Sequence, residues 1–270
     1  MSNVVVHADT HGQAHPVHHR ALQHHFETMG QQKEAAVIGM WVFLLTEILF
    51  FGGLFMAYML YRTWYFDAFA EASRSLSLFW GGLNTAVLIF SSLTMAMAVR
   101  CAQTNKRMAT VNWLILTTLL GMVFLGVKVI EYRDKFEHHH VPGYHFQWAH
   151  EAPAGETPGA ATGIEHPAGR AEAAPAAEGA GEHRQLSLNA EQLQLTTQIY
   201  FSLYFTMTGL HALHMIIGIG LMSVITWMAW KGKFDEEYYT PVEMSGLYWH
   251  FVDIVWIFLF PLLYLVERHT

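Results

Sequence analysis

Charge is what this sequence has least of. Only 14% of its 270 residues are Asp, Glu, Lys or Arg, against about 25% in an ordinary soluble domain. The shortage is concentrated: residues 75–99, 108–127 and 192–230 contain none of the four. Runs of that length exclude a soluble globular enzyme and read as membrane spans. The formal net charge is −7 and no basic patch exists, which excludes nucleic acid as a partner. Cysteine is nearly missing as well. Cys101 stands alone, so there is no internal disulfide, no Cys-x-x-Cys pair for zinc, c-type haem or redox work, and no dicopper centre built on paired thiolates.

What the chain does have is apolar sequence. Hydrophobic residues make up 53% and the mean hydropathy is +0.22. Five segments, roughly 36–61, 78–99, 109–130, 196–230 and 245–266, are long enough to cross about 30 Å of hydrocarbon as helices. They lack the period-two alternation of barrel strands, and a spanning segment has no other way to satisfy its backbone. The expected fold is therefore all-α and polytopic. Trp and Tyr gather near the span ends (Tyr61, Trp64, Tyr65, Trp80, Trp113, Trp227, Trp230), as in an interfacial belt.

Five spans put the termini on opposite sides. Arg20, Lys33, Arg100, Lys106, Arg107, Lys231 and Lys233 fall on one side, and Arg62, Arg74 and Arg268 on the other. The positive-inside rule then places the amino terminus in the cytoplasm and the carboxyl terminus in the periplasm. The first 35 residues have no apolar core, so no signal peptide is expected there. The organisation reads as a polar, His-rich cytoplasmic tail over 1–35, spans one to three over 36–136, an external loop over 137–195 and spans four and five over 196–270. Within that loop, residues 152–184 are Ala, Gly, Pro and Glu with scattered polar groups. Such composition buries too little to offset the entropy of ordering, and disorder is expected.

Ionisable residues inside a span are costly and mark the places to look for function. The sequence places five well inside the spans: Glu47, His211, His214, His250 and Asp253. Glu47 lies on an apolar, aromatic stripe with Phe43, Phe51 and Tyr58. It reads either as a proton relay or lipid-headgroup contact, or as a helix-packing carboxyl. His211 and His214 are three residues apart, and so are His250 and Asp253. Metal ligation or an interhelical hydrogen-bond network both fit that spacing. Of 18 histidines, seven lie in residues 1–25, seven between 138 and 183, and one at 269, leaving three inside the spans. Three are too few for a haem with a coupled copper or for a dihaem four-helix site.

Several stretches carry a resemblance. Gly39-Met40-Trp41-Val42-Phe43-Leu44-Leu45-Thr46-Glu47-Ile48-Leu49-Phe50-Phe51, Leu83-Asn84-Thr85-Ala86-Val87-Leu88 with Ser91-Ser92, Glu131-Tyr132, Thr208-Gly209-Leu210-His211-Ala212-Leu213-His214 and Tyr248-Trp249-His250-Phe251-Val252-Asp253-Ile254-Val255-Trp256 occur in that order. Together they resemble subunit III of the haem-copper oxidases, of the cytochrome c oxidase type, in its five-helix bacterial form. The resemblance covers about 36–136 and 197–266, and Ala212 stands where the family has a second Gly. It implies five spans in two groups, two plus three, around a lipid-filled cleft. It also implies a subunit with no redox centre and no active site of its own, with haem and copper in partner subunits. Its partners would be oxidase subunit I, as the main contact, subunit II and membrane lipids. Bound phospholipid and support for proton uptake and translocation in the bacterial inner (plasma) membrane belong to the same expectation. Glu47 and His214 are implied lipid-cleft residues, with Lys231 near the cytoplasmic face. Two other roles fit the residues: the equivalent partner of a quinol oxidase or nitric oxide reductase, and a stand-alone transporter built around Glu47 and the histidines.

Overall fold

The structure, a computed structural model, describes residues 21–74, 76–137, 190–235 and 237–265. Most of the His-rich tail, the run His138-His139-His140 and the 152–184 stretch lie outside the described residues. The described residues are helical: α1 (Met29–Trp64), α2 (Phe66–Arg74), α3 (Leu78–Gln103), α4 (Arg107–Glu137), α5 (Ala190–Trp230) and α6 (Thr240–Tyr264). All but α2 are long and apolar enough to cross a membrane. These are the five expected spans, longer at several ends than hydropathy alone suggests.

The extra length has local causes. α1 starts at Met29, seven residues before the apolar run, because Thr28 caps it: its Oγ1 accepts from the Gln31 N–H at 3.2 Å. That Thr-x-x-Gln pattern is the start signal the hydropathy reading passed over. α2 is short and amphipathic, and it buries Ala68, Phe69 and Ala72 while packing mainly on α5. At the far end of α6, Pro261 sits in the last turn. The final carbonyls there have no intrahelical donors. Tyr58 of α1 and Tyr200 of α5 supply them, donating to Leu262 O at 2.8 Å and Leu263 O at 3.0 Å.

The spans do not divide into two plus three. α3, α4, α5 and α6 make a four-helix body, while α1 touches α5, α6 and α2 but neither α3 nor α4. The grouping is four plus one. Its cause lies in α1, which is apolar around its whole circumference yet buries only Leu44, Phe51 and Tyr58. Those three are seven residues apart, a single heptad seam. α6 is the opposite case, and over half of its apolar stretch (56%) is buried against 11% for α1.

At the centre of the body stands Trp249. Its Nε1 donates to Ser91 Oγ of α3 at 3.0 Å. Its ring lies against Gly121 of α4 and Gly218 of α5, where an added Cβ would come within 2.7 Å and 3.1 Å of ring carbons. One indole thus joins four helices. In a bilayer such packing is the main cohesive force, because lipid is as apolar as the helix surface. Gly121→Val is expected to destabilise the fold by about 1–3 kcal/mol through overpacking. Gly126→Ala, whose Cβ meets nothing within 4 Å, is the control. Thermal melting of the purified protein in mild detergent should separate the two.

Candidate functional site

The intramembrane polar residues fall in four separate places. Glu47 of α1 and His214 of α5 come together, with Oε2 3.3 Å from Nε2. Both side chains are mostly covered, at 20% and 14% exposure. His214 Nδ1 lies 2.8 Å from Leu210 O, one turn back. Phe51 meets its ring edge-on and Tyr248 donates to its backbone carbonyl at 3.1 Å. The pair therefore sits where α1 crosses α5 and α6.

His211, three residues before His214, points elsewhere. It is buried between the rings of Phe124 and Trp256, with neither ring nitrogen hydrogen-bonded. His250 Nδ1 lies 2.7 Å from Ser92 Oγ of α3. Asp253 is buried, and the Ser92 hydroxyl that meets His250 also faces its carboxyl. Lys231 is at the end of α5, its ammonium 3.9 Å from the Trp227 ring. Seventeen residues of helix separate it from His214, about 25 Å. The i, i+3 spacing of His211 and His214 therefore creates no shared site, whereas His250 and Asp253 both face Ser92. Among the described residues no three His, Cys, Asp or Glu side chains converge as a metal would need. The three intramembrane histidines have different neighbours.

The densest polar cluster was not among the expected residues. Lys128 and Glu131 stand at the end of the 109–130 apolar run, but α4 continues to Glu137 and both are buried. Lys128 Nζ is 2.8 Å from Glu131 Oε2 and donates to Tyr264 OH at 2.7 Å. Tyr204 donates to Glu131 Oε1 at 3.0 Å, and Tyr264 donates to the same oxygen. The Lys128 ammonium also lies 4.3 Å from the Trp256 ring centroid. One turn away, Tyr132 donates to Thr208 Oγ1 at 2.6 Å. The available signal was the i, i+3 pairing of opposite charges directly after the uncharged run 108–127. α4, α5 and α6 meet in this network. Breaking a buried pair leaves a bare charge and costs about 3–5 kcal/mol. Glu131→Leu alone should therefore sharply reduce the yield of folded protein. Glu131→Leu with Lys128→Met should restore most of it, as measured by size-exclusion recovery after solubilisation.

A gap separates α1 from α3. α6 is its floor. A groove of about 410 Å³ runs between Trp41, Ile48, Phe55 and Ile254, Phe258. A chamber of about 350 Å³ between Lys33, Val37, Val99 and Glu243 adjoins it, and His250 and Leu247 line both.

Fold and site together define a polytopic, all-helical membrane protein whose intramembrane charges are partly paired with one another along the helix seams. Comparison with known proteins makes this specific. The family model described as cytochrome c oxidase subunit III matches residues 185–267. Cytochrome c oxidase subunit 3 of Thermostichus vulcanus is 29% identical over 233 residues, 86% of this chain and 88% of that one. Its counterpart in Synechocystis is 26% identical, over 85% of this chain and 75% of its own. Cytochrome bo(3) ubiquinol oxidase subunit 3 of Pseudomonas aeruginosa is 25% identical, covering 85% and 84%. The chain is thus similar, over most of its length, to subunit III of the haem-copper oxidases.

Proposed function

We propose that this chain is the non-redox subunit III of a cytochrome c oxidase. It packs against the catalytic subunit I, with subunit II in the same complex, and holds phospholipid. It supports proton uptake while the partner subunits, which carry the haem and copper, reduce oxygen. Its lipid is bound in the groove beside α1, and its membrane is the bacterial inner membrane with the amino terminus in the cytoplasm. The orientation rests on the basic residues at one set of helix ends, Arg100, Lys106, Arg107, Lys231 and Lys233.

One observation carries the reading: the Glu47–His214 pair at the seam of α1, a helix that otherwise buries little. A carboxylate and an imidazole at this thinly packed crossing keep part of their surface exposed, whereas the Lys128–Glu131 pair is buried. The unburied flank of α1, including Trp41, Leu45 and Leu49, is apolar surface for a helical partner or acyl chains. A quinol oxidase is the second reading, favoured by relatives named quinol oxidase subunit 3 at 25–26% identity. Relatives named cytochrome c oxidase subunit 3 reach 29%. The electron donor follows from the other subunits.

Replacing both members of the pair, Glu47→Leu with His214→Leu, should leave the fold intact, since each apolar side chain suits the seam. The assembled oxidase is expected to hold less lipid. Its active lifetime should shorten more than its initial rate falls, read from oxygen-consumption traces followed to inactivation. A stable homo-oligomer that works without a haem protein would overturn the proposal.

A further inference from the structure

α1 is fastened unevenly. Its buried seam begins at Leu44 and continues through Phe51 to Tyr58. The turns before Leu44 bury no side chain. Lys33 lies eleven residues before the seam, about 16 Å along the axis. There a single polar cluster ties α1 to the body. Lys33 Nζ is 3.0 Å from Glu243 Oε2 and donates to Tyr239 OH at 3.0 Å. Its ammonium stands 4.5 Å from the Tyr239 ring centroid. Gln103 Nε2 of α3 donates to the other carboxylate oxygen of Glu243 at 3.2 Å. The tie thus joins the start of α1, the start of α6 and the end of α3, the three helices that bound the gap.

Its position matters because Lys33 and Glu243 line the chamber that adjoins the apolar groove. We propose that the Lys33–Glu243 tie is a latch. It holds the free end of α1 against α6 and sets how fast a zwitterionic phospholipid enters and leaves the apolar groove between α1 and α6, past the chamber that α3 lines. The inference rests on the reading that this groove holds lipid and adds the element that regulates it. A zwitterionic headgroup carries one phosphate and one ammonium, the charges that Lys33 and Glu243 each require. It can replace both partners at once, so the latch opens without leaving either side chain unpaired. Lys33 is partly exposed, at 38% for its side chain, so the pair is weak enough to open repeatedly.

The test uses the intact oxidase complex in nanodiscs of phosphatidylethanolamine and phosphatidylglycerol. Perdeuterated phosphatidylethanolamine is the probe, and its uptake is followed by native mass spectrometry. Lys33→Glu places two like charges together and is expected to speed exchange about two- to fivefold. Adding Glu243→Lys re-forms the pair in reverse and should return exchange to the wild-type rate. Glu243→Gln is the second opening variant, should Lys33→Glu fail to assemble. Wild-type complex that retains lipid while exchange is the same in every variant would overturn the latch and leave the lipid reading standing. Wild-type complex that retains no lipid would overturn the lipid reading, and the latch with it.

Discussion

The rest of this structure depends on how a four-helix body can cohere where there is no water to drive it together. Trp249 is the solution at the centre. Its indole is too large for any ordinary helix contact and is admitted only because α4 and α5 each present a glycine to it. Its one polar atom is satisfied by Ser91 of α3. Dispersion over a large ring and one buried hydrogen bond do what the hydrophobic effect does in a soluble core. Trp256, two turns later on α6, repeats the device by donating to Thr85 Oγ1 at 3.1 Å. α6 therefore becomes the axis of the molecule, and α3, α4 and α5 are arranged around it.

The polar interior follows from the same constraint. In hydrocarbon an unpaired charge or a bare carbonyl costs several kcal/mol. Lys128 and Glu131 are tolerated because they neutralise each other and because two phenols complete the carboxylate's shell. The tyrosines have a second use at the helix ends, where Tyr58 and Tyr200 reach the last carbonyls of α6. Each such bond fixes the depth of one helix against another. The network thus sets register, while the packing around Trp249 sets separation.

α1 stands outside this arrangement, and the functional reading follows from that. It shares with the body one heptad seam, the Tyr58 hydrogen bond to Leu262 O, one imidazole–carboxylate contact at Glu47 and one surface tie at Lys33. A helix attached in this way leaves a groove on one flank and apolar surface on the other. Both are places where an oxidase complex can add lipid or another subunit without disturbing the body.

The number of spans, the all-helical class and the intramembrane positions of Glu47, His214, His250 and Asp253 were legible in the sequence, because hydropathy and helix period are local properties. The resemblance to subunit III was legible too, since the motifs that carry it are short and contiguous. Which ionisable side chains meet was not. His211 and His214 share a helix face on paper, yet one turns into the aromatic core and the other toward α1. Lys128 and Glu131 read as the edge of a span until the extension of α4 buried them. The two-plus-three grouping failed for the same reason. Only the packing of small residues on α3 against α4 and α6 decides that α1, equally apolar, is left outside. Periodicity fixes which residues face inward along one helix. The partner each one finds is set by crossings between helices far apart in the chain, and that is a property of the tertiary structure alone.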